Sequence, residues 1–268
     1  MKLSQIIDII NKIAPEELQE DWDNTGIQLG CDYEKDINRI MTCLEISDSI
    51  VEEAAEKKAD LIVTHHPLIF SKLSHVDSGD VTGRQIIKLI SHGISVYSSH
   101  TAFDSAAYGT NYDLASRLGL ENITPMFKDE KFQGCGMGRF GSFSSPLPFS
   151  EFISKLGQVC SKSGLKIAGT APETVAKTAL CTGAGAEFID DAYRAGAQVY
   201  ITGDLKYHDA RHADDIGLCV IDAGHYGTEI LFADNMADQL RSLLGSEAEI
   251  FPAVSDINPF RNGLGMTV

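Results

Sequence analysis

The sequence has no apolar run near the roughly 18 residues needed to span a bilayer; its longest, such as 61-LIV-63 and 218-LCVI-221, are far shorter. A membrane span is excluded. The N-terminus MKLSQIIDIINK, interrupted by Asp8 and followed by no small-residue cleavage site, is not a secretory signal. A CxxC pair is also missing. The six cysteines (Cys31, Cys43, Cys135, Cys160, Cys181, Cys219) are scattered, which excludes a thiolate zinc knuckle and a disulfide scaffold. They read as buried, reduced thiols suited to the cytoplasm. Basic residues are scarce: 22 Lys and Arg face 38 Asp and Glu, and a net charge of −16 argues against nucleic acid as a partner. Metal ions or a local basic cluster could still admit a phosphorylated small molecule.

What is present suits a soluble globular protein. Of the 268 residues, 43% are hydrophobic and 22% charged, enough for a sizeable core and about two domains. Residues 4–12 space apolar positions at helical intervals behind Ser4 as a candidate N-cap. Short apolar runs at 40–46, 61–64 and 94–99 then read as strands, with amphipathic helices at 48–58 and 82–92 between them. The second half repeats this grammar, with strands at 137–143, 165–169, 177–183, 197–203 and 218–224 and helices at 186–196 and after 225. This alternation predicts an α/β fold with largely parallel or mixed sheets. Turn-forming stretches place a boundary near residue 125, giving domains 1–125 and 126–268.

The halves correspond residue by residue. Shifted by 138, residues 39–66 lie over 177–204 without a gap, superposing Cys43 on Cys181, Ala54 on Ala192 and Thr64 on Thr202. Shifted by 125, 95-SVYSSHTAFD-104 lies over 220-VIDAGHYGTE-229. We read this as an internal duplication, although two βαβ units of similar composition could imitate it.

In parallel α/β sheets chemistry collects where strands end. Four such ends carry His65 and His66, His100 and Asp104, Asp204 and His208, and His225 and Glu229. Adjacent histidines on a strand would point to opposite faces. Pro67 takes the chain out of the ladder, so both imidazoles can converge. His-x3-Asp at 100–104 and His-x3-Glu at 225–229 share a face if a helical turn follows each strand; ordinary i,i+4 pairing is the alternative. Imidazoles with carboxylates are the ligand set of zinc, manganese or iron. Several histidines and two carboxylates exceed the needs of one tetrahedral ion and favour two, with one carboxylate bridging. The segment 21-DWDNTGIQLG-30, with the only tryptophan, reads as a turn before a short edge strand without chemistry of its own. The glycines of 182-TGAGAE-187 could cradle a phosphate but are better explained by helix–sheet packing.

The segments 22-WDNTGIQLG-30, 65-HHPLIF-70, 100-HTAFD-104, 203-GDLKYHDA-210 and 222-DAGHYGTE-229, in this order, resemble the Nif-three-like family, whose bacterial members are described as GTP cyclohydrolase I type 2 homologues. The resemblance implies two intertwined, related α/β domains, without the inserted third domain of larger relatives, and a toroidal homohexamer. It further implies two divalent metal ions per subunit. Carried over by position, their ligands are His65, His66, Asp104, His225 and Glu229, with Glu229 bridging, while His100 and His208 stand nearby, supporting the ligands or transferring protons. The function implied is a metal-dependent hydrolase of a small nucleotide-like substrate, acting through a metal-bridging hydroxide. A non-catalytic metal-handling or regulatory protein would use the same residue types.

Overall fold

The structure, a computed structural model, describes residues 1–160, 164–255 and 257–260. In chain order it forms α1 (Leu3–Ile13), a 3-10 turn (Glu16–Leu18), β1 (Gly26–Leu29), β2 (Arg39–Cys43), α2 (Asp48–Glu56), β3 (Leu61–Thr64), α3 (Val81–Ser91), β4 (Ser95–Ser98), α4 (Thr101–Ser105) and α5 (Thr110–Arg117). There follow β5 (Glu121–Pro125), β6 (Arg139–Pro148), α6 (Phe149–Val159), β7 (Lys166–Ala168), β8 (Thr174–Ala184), α7 (Ile189–Arg194), β9 (Val199–Gly203) and α8 (Tyr207–Ile216). The chain closes with β10 (Cys219–Asp222), α9 (His225–Glu229), α10 (Leu231–Leu244) and β11 (Glu249–Pro252).

The elements make an α/β protein with two mixed sheets. The first has the order β1-β4-β3-β2-β11, all parallel except the antiparallel edge strand β1. The second has the order β5-β6-β8-β9-β10-β7, with β8, β9 and β10 parallel and the others antiparallel. β3, β4, β9 and β10 are buried at every residue, as expected of parallel strands covered on both faces. Leu61, Val63 and Tyr97 pack against Ile6 and Ile10 of α1 and Phe232, Met236 and Leu240 of α10. On the opposite face Met41, Ile62 and Val96 meet Ile50 and Ala54 of α2 and Leu89 of α3. In the second sheet, Leu180, Val199 and Ile201 pack against Leu114 of α5 and Leu156 of α6, and Ala179, Tyr200 and Val220 against Ala192 of α7 and Ala213 of α8. β11 returns to the first sheet, pairing Glu249 with Arg39 through Pro252 with Thr42.

Several local expectations are refined. α1 begins before Ser4, and the Gln5 side chain accepts from Lys2 N at 2.9 Å in place of a Ser4 cap. The span 186–196 divides into a 3-10 turn (Ala186–Phe188) and α7. The turn-forming stretch at the boundary near residue 125 contains β5, whose alternation is masked by exposure on an edge. Five cysteines are buried, whereas Cys31 is exposed beyond the end of β1. Burial pushes the thiols of Cys43 and Cys160 up to about 12, so they pack as apolar groups. Among the described residues no helix is long and apolar enough to cross a membrane.

Candidate metal centre

The centre forms where residues beyond the ends of β3 and β4 in one sheet meet residues at the ends of β8 and β10 in the other. β3 stops at Thr64, and Pro67 prevents the ladder from continuing, so His65 and His66 leave the pleat with ring centroids 5.3 Å apart. α4 and α9 are the helical turns expected after β4 and β10. α4 carries Asp104 inward behind His100, and α9 places Glu229 one turn after His225.

His65 is fully buried, and its Nδ1 lies 3.0 Å from the Ser99 carbonyl oxygen. A carbonyl only accepts, so Nδ1 is the donor, and the neutral tautomer that makes this bond presents a lone pair at Nε2. That Nε2 has no hydrogen-bond partner, yet it lies 3.5 Å from Asp104 Oδ1 and 3.8 Å from Glu229 Oε1. Leaving a buried polar atom unsatisfied costs about 1–3 kcal/mol. A cation held jointly by the imidazole and the carboxylates removes that cost, so the residues fit a metal ion. Beside it, His66 Nε2 and His225 Nε2 both lie 2.8 Å from Glu229 Oε2. Three groups of donor atoms each fall within 4.8 Å of one another: His65 with Asp104 and Glu229, His66 with His225 and Glu229, and His65 with His66 and His100. Glu229 belongs to two of them.

All four imidazoles are tethered through Nδ1. His66 faces Glu45 Oε2 at 3.4 Å, His100 faces Asp23 Oδ1 at 2.8 Å and His225 faces Asp204 Oδ2 at 2.8 Å. Such outer acceptors fix ring orientation and leave Nε2 as the ligand atom. Asp104 is likewise oriented by the Thr110 hydroxyl and, at 3.3 Å, by Thr182 Oγ1. Burial opposes ionisation of Glu229, but His225 and His66, each 2.8 Å away, hold its carboxyl well below the usual carboxylate range. Burial would lower the His66 and His225 imidazoles, yet Glu229 with Glu45 raises His66 to about 10, and Glu229 with Asp204 raises His225 to about 9. Asp23 is also held well below its ordinary range, because the bonds from His100 and Thr101 overcome burial.

The structure thus brings together His65, His66, His100, Asp104, His225 and Glu229, and leaves out His208. That residue sits on the exposed first turn of α8 with its ring against Tyr207, since the turn at 204–206 carries the chain outward before the helix begins. Three outer carboxylates were not assigned a role from sequence. Asp23 lies in a segment read as a bland turn, although a carboxylate next to the only tryptophan in a matched motif was a usable signal. Nothing local marks Glu45, whereas Asp204 was noted at a strand end without a role, and its backbone, a non-glycine residue at φ 53°, sets it apart further. Gly183, within the glycine-rich stretch, adopts φ +66°, and a Cβ there would come within 2.1 Å of Glu229 Oε1. Its role is to make room for the centre.

The donors open into a cavity of about 640 Å³, walled by Trp22, Phe70, Met137 and Phe188 with Glu20 and Glu187 among them. Fold and site together define a two-sheet α/β protein with a buried histidine–carboxylate centre suited to metal ions. Residues 1–259 match the family model described as Duf34/NIF3 (NGG1p interacting factor 3). The chain is 35% identical to a GTP cyclohydrolase 1 type 2 homolog of Clostridium perfringens, covering 97% of this chain and 99% of that one. It is 33% identical to the homolog of Streptococcus pneumoniae, covering 98% and 100%. A Bacillus cereus protein related to NIF3 superposes with a TM-score of 0.89 at 21% identity, over 98% of this chain and 99% of that one, a likeness of fold. The chain belongs to the Duf34/NIF3 family.

Proposed function

We propose that the protein is a dinuclear metal-dependent hydrolase acting on a small nucleotide-like substrate. The observation that carries this reading is the unpartnered, buried Nε2 of His65 between Asp104 and Glu229, next to a second donor group that shares Glu229. His65 and Asp104 would hold one cation, His66 and His225 the other, and Glu229 both. Two adjacent dications supply Lewis acidity and lower the pKa of bound water towards about 7. The chain's own residues orient and exchange protons. Ser99, Glu45 and Asp204 keep the ligand imidazoles in one tautomer, and His100, held by Asp23, presents Nε2 as a proton carrier beside His65 and His66.

Turnover by metal-loaded protein against GTP and a phosphoester panel, with metal content measured by elemental analysis, is the test. Two ions per chain with metal-dependent product supports hydrolysis. Two ions with no product from any substrate would transfer the centre to metal handling, which predicts release of the ion to an acceptor.

The halves 1–125 and 126–268 are proposed to descend from a duplication. In support, the 138-residue offset lays β2, α2 and β3 over β8, α7 and β9, and the 125-residue offset lays β4 and α4 over β10 and α9. We also place the protein in the cytoplasm, on its free thiols, and propose a toroidal homohexamer.

A further inference from the structure

The cavity at the metal centre carries a statement about ligand charge and shape that the hydrolase reading leaves open, and it rests on that reading for the cavity's use. Asp104 and Glu229 at the centre, with Asp23, Glu45 and Asp204 behind three of the histidines, are five carboxylates. Two dications would bring four positive charges. Glu20 and Glu187 add further negative charge on the walls, and none of the described residues lining the cavity is Lys or Arg. A polyphosphate entering this space would have only the two dications to receive it, already outweighed by the surrounding carboxylates, with no guanidinium or ammonium for its remaining charge.

The walls fit a different chemistry. Trp22 is 60% exposed and Phe70 58%, although both rings are large and apolar. Phe70 lies 6.2 Å from Trp22 at 58°, and His100 lies 5.9 Å away at 75°. Neither ring lies parallel to the indole, so among the described residues no aromatic ring stacks face to face on it. An aromatic face open towards a cluster of metal ligands suits a flat π-system. We propose that the centre takes a planar nitrogen heterocycle at the level of a free base or nucleoside, stacked on Trp22, and discriminates against nucleoside triphosphates.

Trp22 is the only tryptophan, so intrinsic emission reports directly on the proposed contact. Metal-loaded full-length protein is titrated with guanosine and adenosine, and separately with GTP and ATP, at about 0.15 M salt, and again at higher salt where charge repulsion is screened. The nucleosides should quench the emission saturably, and the triphosphates should bind at least about tenfold more weakly, with the gap narrowing as salt rises. By calorimetry, Trp22→Ala should weaken nucleoside binding roughly tenfold, and Trp22→Phe should restore most of it, as stacking predicts. Triphosphates binding as tightly as nucleosides, neither nucleoside binding, or Trp22→Ala with unchanged affinity would each overturn the proposal. So would emission that changes with protein concentration alone, because the indole would then be covered by a second copy of the chain. The two readings fail separately: metal-dependent turnover of GTP at a lower KM than any nucleoside sinks this inference and keeps the hydrolase, whereas nucleoside binding without turnover does the reverse.

Discussion

Glu229 concentrates the electrostatics of the centre in one side chain. It is 3% exposed, contacts His66 and His225 at 2.8 Å and approaches His65 at 3.8 Å. Glu229→Gln keeps the shape and removes the charge that would offset two dications, so elemental analysis should find both ions diminished. A variant that retains two ions per chain would show that Glu229 does not bridge. His100→Ala should keep the stoichiometry while activity falls about 10–100-fold, in the range typical for groups that support a metal centre. If it loses an ion instead, His100 is a ligand, as its grouping with His65 and His66 would permit. Proton linkage gives a third expectation. In the ion-free chain, despite burial, Glu229 and Glu45 raise the His66 imidazole to about 10, and Glu229 and Asp204 raise that of His225 to about 9, which favours bound protons at neutral pH. A cation must displace those protons. Zinc titration in weak buffer at pH 7 should release protons, and apparent affinity should rise with pH up to about 9–10.

At the scale of elements, the centre depends on how closely β8 passes α9. Gly183 near the end of β8 donates its N–H to Thr228 Oγ1 at 3.0 Å, and its missing side chain leaves the space that Glu229 occupies. Gly183→Ala would place a Cβ 2.1 Å from Glu229 Oε1 in a backbone conformation that L-residues rarely adopt. Metal affinity should fall by at least about tenfold in equilibrium dialysis. Unchanged affinity would mean that β8 and α9 are free to separate. α2 provides another junction. Glu53 accepts from Lys57 Nζ at 2.7 Å and from the backbone N–H groups of Val254 and Ser255 at 2.9 Å each, tying the segment after β11 to this helix. Burial opposes its ionisation, but these bonds lower its carboxyl from 4.5 to about 2. Because the folded value is depressed, the stabilisation is fully present above the unfolded value and is lost as pH falls towards about 2. Glu53→Gln should therefore cost about 1–3 kcal/mol at pH 7, with the difference from the parent closing as pH falls from about 4.5 to 2 in denaturant melts. A constant difference across that range would exclude the ionised carboxylate as its source.

For the whole molecule, a net charge of −16 disfavours association through charged faces, so the proposed hexamer must use apolar or locally neutral contacts. Tyr108 at 63% and Leu243 at 54% exposure line a groove between the end of α1 and α10 and are suited to such contacts. Light scattering at moderate salt should give about six times the chain mass. A concentration-independent monomer with full metal content would show that the centre forms without the ring.

Much of this was legible in the residues. Continuous apolar runs such as 61-LIVT-64 and 197-AQVYITG-203 marked buried parallel strands, because a strand covered on both faces needs no polar alternation. Histidines and carboxylates following those runs marked the centre, because strand ends are where the backbone is released from the ladder. Tertiary structure alone decided what no local pattern encodes. β11 pairs with β2 across more than two hundred residues of chain, β5 lies on an exposed edge without a clear period, and His208 turns outward because α8 begins where it does. Asp23 and Glu45 became part of the centre only when distant segments met the Nδ1 atoms of His100 and His66. Local periodicity reports which faces are buried, whereas the partner of a buried polar atom is set by the packing of whole sheets and is absent from any single stretch of sequence.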